Sequence, residues 1–150
     1  MENGAYCEIY PDNPVLLVDT YNTLKSGVPD AIRAFNDGLK PRGLTKCGIR
    51  LDSGDMAYLT RQARQMLDEA GWTECKITVS NSLDEIIIQD LLIQGAQIDA
   101  FGVGERLITA RSEPVFGGVY KLVAYEDDEG NVVPKIKLSE NVSKITTPQY

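Results

Sequence analysis

The sequence predicts an α/β fold in which parallel strands with helical crossovers are followed by an antiparallel β-hairpin. Three observations indicate this fold. Four short apolar segments alternate with stretches of helical periodicity, each apolar segment ends in small or polar residues, and two β-prone segments flank a turn later in the chain. Strands joined by helices at this spacing run parallel, because a helical crossover returns the chain to the same end of the sheet.

The four predicted strands cover residues 15–18, 47–51, 76–79 and 100–103. Polar or small residues follow each of them, from Asp19-Thr20 after the first strand to Gly104-Glu105-Arg106 after the fourth. Two architectures fit this pattern, an open doubly wound sheet and part of a βα barrel. In both, ligands bind at the carboxyl ends of the strands, where these polar residues lie.

The segments between the strands predict helices. Apolar side chains recur at helical spacing across residues 57–70, and Gly71 supplies a stop. Ser82 and Glu85 predict a capping box at the start of the next helix, since each side chain can accept a free backbone N–H. A less regular helix is expected from residue 29 to about residue 39.

The pattern changes after Arg111. Two β-prone segments and the turn between them predict a hairpin: residues 117–125, 128–131 and 132–138. In that turn, Gly130 or Asn131 can adopt a left-handed conformation. We therefore divide the chain into a partial βα portion, residues 1–111, and an antiparallel β appendage, residues 112–150, which we expect to form one compact unit.

Composition excludes several classes of function. The chain is 43% apolar and 25% charged, as in ordinary globular proteins. Its net charge of −7 argues against broad nucleic-acid binding, which requires clustered Lys and Arg. The longest apolar run is far below the ~20 residues that span a bilayer, and no signal peptide opens the chain. We expect a cytoplasmic protein without a membrane partner.

The cysteines and the absence of histidine limit the chemistry further. Cys7, Cys47 and Cys75 are far apart in sequence and lack CxxC spacing, so we expect three reduced thiols. With no histidine in the chain, no imidazole acid/base, histidine metal ligand or phosphohistidine is available. The sequence shows no metal site.

The first polar cluster follows the second strand. Arg50 and Asp52 lie on one face of that strand, because side chains alternate with a period of two. A buried pair of this kind is costly unless it is well paired or engages a ligand. The guanidinium suits a phosphate or carboxylate, and Asp52 suits ribose hydroxyls or magnesium-bound pyrophosphate. The alternative is a structural ion pair, with Ser53 or Asp55 as a helix cap.

The second cluster is the glycine-rich loop after the fourth strand. Gly102, Val103 and Gly104 let the backbone approach an anion, and Glu105 and Arg106 follow at the start of a helix. Barrels place a phosphate site in the loops of their late strands, which matches this position. The alternative is a tight turn.

Two smaller groups of polar residues complete the candidate site. Ser80 and Asn81 offer a hydroxyl and an amide for contacts with a sugar, although neighbouring Ser82 is explained as a helix cap. Asp19 and Thr20 have the same two explanations.

Taken together, five segments in this order closely resemble nicotinate phosphoribosyltransferase: VDTYNTLKSGVPDAI, GIRLDSGD, SNSLDE, DAFGVGERLIT and GGVYKLV. The likeness extends from about residue 12 to residue 144. It implies a partial βα barrel, followed here by the hairpin, in an enzyme that forms dimers with shared active sites. The family joins nicotinate to phosphoribosyl pyrophosphate, coupled to ATP hydrolysis, giving nicotinate mononucleotide and pyrophosphate for NAD salvage. Mg²⁺ would accompany phosphoribosyl pyrophosphate and ATP.

The resemblance also implies roles for individual residues. Arg50 and Asp52 would be catalytic residues that lie over the ribose and pyrophosphate. Ser80 and Asn81 would lie near the ribose, and Asp19 and Thr20 would line the barrel mouth. The phosphate would bind to a loop formed by Gly102, Val103, Gly104, Glu105 and Arg106.

The chain departs from the family pattern in two respects. Family enzymes are much longer, and they use a histidine that is phosphorylated during ATP coupling. We therefore expect a C-terminal portion of the enzyme, inactive alone, that is a homo-oligomer or a partner for a missing N-terminal half. The alternatives are a non-catalytic phosphate-binding module, half of a split enzyme, or a related nicotinamide or quinolinate phosphoribosyltransferase.

Overall fold

A computed structural model describes residues 2–140 and 145. It divides into two compact units, Met1–Ser112 and Glu113–Tyr150. Residues 141–144 and 146–150 of the predicted appendage, which include the end of the family likeness, lie outside the described residues.

The first unit alternates strands and helices. Its strands are β1 (Val15–Leu17), β2 (Gly48–Leu51), β3 (Lys76–Ser80) and β4 (Ala100–Gly102). Its α-helices are α1 (Glu2–Ile9), α2 (Val28–Gly38), α3 (Met56–Glu69), α4 (Glu85–Ile93) and α5 (Glu105–Ile108), with a π-helix at Thr23–Gly27 and a 3₁₀-helix at Lys40–Arg42. The sequence analysis did not predict α1 or the π-helix. No helix within residues 2–140 is long and apolar enough to cross a membrane.

The four strands form one parallel sheet in the order β1-β2-β3-β4. Its register places Leu17, Arg50, Thr78 and Ala100 side by side. The sheet is open, with β1 and β4 at its edges, and its order does not reverse within the described strands. A doubly wound sheet needs such a reversal.

One face of the sheet forms the core. Leu16, Ile49 and Ile77 are aligned across three strands and are 0–3% exposed, packed with Phe35 of α2 and Leu67 of α3 in a single hydrophobic cluster. Burying a side chain of this size contributes about 1.5–3 kcal/mol. This face therefore fixes which residues of each strand point inward.

The opposite face of the sheet is uncovered in the described chain. Val15 and Leu17 of β1 are 42% and 47% exposed, although both are apolar. Arg50 lies on this same face and is also exposed. Arg50 and Asp52 do form an ion pair, but the expected burial of this pair is wrong, because no described element covers this face.

Aspartates begin the two central helices. Asp55 accepts the Tyr58 N–H at 3.0 Å before α3, and Asp84 accepts the Ile87 N–H at 2.9 Å before α4. The predicted capping box of Ser82 and Glu85 is therefore wrong. Ser82 has φ of +50° and its hydroxyl donates to Asn81 Oδ1, so it cannot reach the helix start.

The three cysteines are buried and free, all within the first unit. Cys47 and Cys75 come just before the paired strand residues Gly48 and Lys76. A hydrogen bond with Cys75, together with burial, raises the pKa of Cys47, and burial raises the pKa of Cys7. Thiols with raised pKa values are poor nucleophiles, which fits a packing role.

The second unit contains an antiparallel pair, β5 (Ala124–Glu126) and β6 (Val132–Pro134). Asp127 shapes the turn by accepting the backbone N–H groups of Glu129 and Asn131, and Gly130 has φ of +85°.

Both strands of this pair are shorter than the predicted segments 117–125 and 132–138. Val119 and Tyr120 are 85% and 93% exposed, so the described chain offers them no partner strand and no core. The pairing extends one hydrogen bond past Pro134, because the Lys135 N–H donates to the Val123 carbonyl at 2.7 Å.

The core predicts a sharp contrast between two isoleucines. Ile77→Ala should lower the free energy of unfolding by about 2–5 kcal/mol, because a fully buried side chain leaves a cavity. Ile93→Ala, at a site that is 75% exposed, should change it by less than about 0.5 kcal/mol. Urea unfolding followed by circular dichroism measures both values. Equal losses in the two variants would contradict this packing.

Candidate active site at the carboxyl ends of the strands

The structure brings four of the sequence-predicted residues together where β1, β2 and β3 end. We call Asp19, Arg50, Asp52 and Ser80 the Arg50 cluster. Asp19 follows β1, Arg50 and Asp52 lie in and just after β2, and Ser80 is the last residue of β3. Residues from three separate segments thus meet at one edge of the sheet, as parallel strands require.

Arg50 is held by two side chains. Its Nε donates to Ser80 Oγ at 2.9 Å, and its Nη2 donates to Asp52 Oδ2 at 3.1 Å. Ser80 Oγ in turn donates to Asp52 Oδ1 at 2.9 Å, which closes a triangle of hydrogen bonds. A guanidinium has five N–H donors, and the described residues engage two of those on Arg50. Three N–H donors of Arg50 are therefore left for a ligand.

Asp19 fixes the turn after β2. Its Oδ2 accepts the backbone N–H of Asp52 at 2.8 Å and the hydroxyl of Ser53 at 2.6 Å. Gly54, with φ of +88°, then redirects the chain into α3. Ser53 is thus a member of this network that the sequence analysis considered only as a helix cap.

The Arg50 cluster is accessible to a ligand. The side chains of Arg50 and Asp52 are 48% and 41% exposed. An ion pair this exposed contributes only about 0–1 kcal/mol to stability, so stability gives little reason for this arrangement. The cluster is better explained as a preformed set of donors and acceptors.

Thr20 is not part of the cluster. It lines a separate cavity of about 610 Å³ beside β1, together with Tyr6, Ser26 and Asp30. Asn81 is adjacent to Ser80 but exposed, with φ of +94° and its side-chain oxygen accepting the Ser82 hydroxyl. Neither residue contacts Arg50 through a hydrogen bond in the described chain.

The glycine loop approaches the Arg50 cluster where Gly102 lies close to Ser80. A Cβ at Gly102 would sit 3.1 Å from Cβ of Ser80, so a larger residue would displace the serine that holds Arg50. Gly104 precedes α5, Glu105 opens that helix, and Val103 between the glycines is 37% exposed. The loop backbone is therefore open to a ligand beside the Arg50 cluster.

Arg106 has a different environment from the other predicted residues. Its Nη1 forms an ion pair with Oδ2 of Asp84, the residue that caps α4. The Ile87 N–H and then Arg106 hold the pKa of Asp84 below its usual value. The sequence analysis missed Asp84 because it assigned the cap to Ser82; two adjacent acidic residues in SNSLDE were the available signal.

No family model matches the chain. It is 53% identical over 146 residues to the nicotinate phosphoribosyltransferase of Bacillus subtilis, 42% identical over 151 residues to that of Dictyostelium discoideum, and 34% identical over 151 residues to that of Homo sapiens. These alignments cover 95–96% of this chain. The chain is homologous to part of nicotinate phosphoribosyltransferase. The resemblance predicted from the sequence is confirmed.

The match covers only part of the relatives. The chain spans 28%, 25% and 27% of the length of the three proteins named above. In this chain, the Arg50 cluster and the glycine loop lie at the ends of the four described strands of the first unit.

The lowered pKa of Asp84 predicts a pH-dependent contribution to stability. A carboxyl whose pKa is lower in the folded state stabilises the fold above its ordinary value of 3.8, and this contribution is lost as pH falls through the folded pKa. Asp84→Asn should therefore be less stable than the parent chain near neutral pH, with a gap in the free energy of unfolding that narrows as pH falls below 3.8. Urea unfolding from neutral to acid pH tests this, and a constant gap would contradict it.

Proposed function

We propose that this chain supplies the ribose- and phosphate-binding side of a nicotinate phosphoribosyltransferase. The enzyme would join nicotinate to phosphoribosyl pyrophosphate, with coupled ATP hydrolysis, and release nicotinate mononucleotide and pyrophosphate. One observation carries the proposal. Within a chain that is homologous to these proteins over 95% of its length, a half-exposed arginine is held in place by a serine and an aspartate at the strand ends.

The chemistry of the cluster suits this reaction. In it, the bond from ribose C1′ to a pyrophosphate oxygen breaks and a bond from C1′ to the nicotinate ring nitrogen forms. The protein needs mainly to position the reactants and stabilise the charge of the departing pyrophosphate. Arg50 offers a fixed cation for a phosphate, while Asp52 and Ser80 offer oxygen acceptors for the ribose hydroxyls.

Magnesium would arrive with phosphoribosyl pyrophosphate and ATP. Both oxygens of Asp52 and Oδ2 of Asp19 already accept hydrogen bonds. Among residues 2–140 and 145, no group of three acidic or cysteine side chains is arranged to hold a metal. Mg²⁺ commonly binds through substrate phosphates with few protein ligands, which agrees with a metal carried by the substrate.

We propose that the four strands are part of a βα barrel completed by the rest of a longer protein. Their uninterrupted order supports this, since neighbouring barrel strands follow one another in sequence. The exposed apolar residues Val15 and Leu17 also support it, because they lie on the sheet face that a barrel encloses. The glycine loop 102–105 would then bind the phosphate at the barrel mouth.

The chain alone would be incomplete under this proposal. With no histidine, it cannot form the phosphohistidine expected during ATP coupling, and three quarters of its relatives' length has no counterpart in it. We infer that it has no turnover by itself and works with a missing half or in a homo-oligomer. The same coverage favours one second candidate, a non-catalytic phosphate-binding module.

Calorimetric titration with nicotinate mononucleotide tests the proposal. Arg50→Ala should weaken binding at least about tenfold, because it removes the cation that faces the phosphate. Arg33→Ala is the matched control, since Arg33 is an exposed α2 residue paired only with Asp30 in the described chain. Binding that is equal in the parent and both variants, or absent from the parent, would count against a preformed site.

A further inference from the structure

The Asp84–Arg106 ion pair joins the two loops that flank the Arg50 cluster. Asp84 ends the loop after β3 and caps α4 through Oδ1, while its Oδ2 contacts Arg106 of α5, after β4. One carboxylate therefore fixes a helix start and the neighbouring loop together. The two partners are 22 residues apart in sequence, so the contact is tertiary.

This pair is more shielded than other ion pairs of the described chain. Arg106 and Asp84 are 20% and 23% exposed, whereas the pairs Arg50–Asp52 and Lys76–Asp99 each include a side chain that is at least 48% exposed. In addition, Nε of Arg106 is buried with no acceptor among the described residues. A buried donor without a partner costs free energy, so the pair is a poor device for stability alone.

The two loops need an external restraint. Asn81 and Ser82 have φ of +94° and +50°, which non-glycine residues adopt only when their surroundings force it. The loop after β4 consists of Val103 and Gly104 and leads into a helix of four residues, too short to be stable alone. Each loop would move without a contact that holds it.

The contacts restrain the loop after β3 at both ends. Ser80 is held by Arg50 before the strained residues, and Asp84 is held by Arg106 after them. Through Gly102, the second loop packs on the same serine. The contacts Arg50–Ser80, Ser80–Gly102 and Arg106–Asp84 therefore surround the proposed phosphate site. The charge of Arg106 is directed at Asp84.

We propose that Asp84 and Arg106 are a positioning pair that sets the distance between the loop after β3 and the glycine loop. Arg106 then acts on the bound phosphate through the loop backbone and makes no contact with it. The identity of the ligand rests on the function proposed above. The geometry of the pair does not depend on that function.

Titration with nicotinate mononucleotide separates positioning from direct contact. Asp84→Ser keeps a good helix cap but removes the ion pair, and Arg106→Gln removes the other partner. Each should weaken binding about tenfold, and the double variant should be no weaker than either, because both changes break one contact. Direct contact predicts the opposite for Asp84→Ser, since a released Arg106 would leave affinity unchanged or raise it. That result would overturn the proposal.

The ion pair at the other ends of the same strands is a matched control. Lys76 Nζ contacts Asp99 Oδ1 at 2.9 Å, and Asp99 Oδ2 accepts the Ile77 N–H at 2.9 Å. Like Asp84, Asp99 thus forms an ion pair and also accepts a backbone N–H. Its contacts link β3 to the start of β4. Asp99→Ser and Lys76→Gln should leave nucleotide affinity within about twofold of the parent. Weakening equal to that of Asp84→Ser would assign the effect to general stability and overturn the proposal.

Amide hydrogen exchange without ligand distinguishes this proposal from the proposed function. Arg106→Gln and Asp84→Ser should speed exchange of the Ile88, Leu107 and Ile108 amides, whose N–H groups donate to the loop carbonyls of Asp84 and Gly104. Lys76→Gln should leave exchange of these amides unchanged. If the parent chain fails to bind the nucleotide, the proposed function fails for this chain and exchange still decides whether the pair restrains the loops. Unchanged exchange of these three amides would overturn the positioning pair whatever the titration shows.

Discussion

The register of the parallel sheet is the constraint on which the rest of the structure depends. Ile49 and Ile77 are paired across β2 and β3 and fully buried, so the next residue of each strand must face the other way. That alternation puts Arg50 on the same face as Ser80. A slip of one residue in the strand register would turn Arg50 into the core and expose the isoleucines. Burial of the hydrophobic face therefore also fixes the positions of the polar side chains on the opposite face. The same pairing brings Gly102 against Ser80, where only a glycine fits without displacement.

Aspartates at the ends of the strands connect this sheet to its helices. Asp55 caps α3, while Asp84 caps α4 and holds Arg106 with its second oxygen. Asp19 fixes the turn after β2 through a backbone N–H and a hydroxyl. A carboxylate has two oxygens and can therefore serve two segments at once. At this edge of the sheet, Asp84 begins a helix and also links its loop to α5.

Local sequence patterns correctly predicted the elements whose bounds depend on residues close together in the sequence. The four parallel strands and α3 were predicted within one or two residues of their observed bounds, because an apolar β-prone run or a helical stripe determines them. The capping box failed because Ser82 and Asp84 compete for one helix, and the left-handed backbone at Ser82 decides between them. Burial of Arg50 failed because strand periodicity assigns a face but does not say whether anything covers it. The contact between Asp84 and Arg106 spans 22 residues, and no local pattern contains it.

The charges of the site bear on how a pyrophosphate could approach it. Within the Arg50 cluster, one guanidinium stands beside the carboxylates of Asp19 and Asp52, and the charge of Arg106 is balanced by Asp84. The side chains that would face the substrate thus carry no positive excess, in a chain whose net charge is −7. A free pyrophosphate would meet like charge there, whereas one that carries magnesium would bring its own neutralisation. In the proposed reaction, Arg50 would then orient a substrate whose charge is already balanced by its metal.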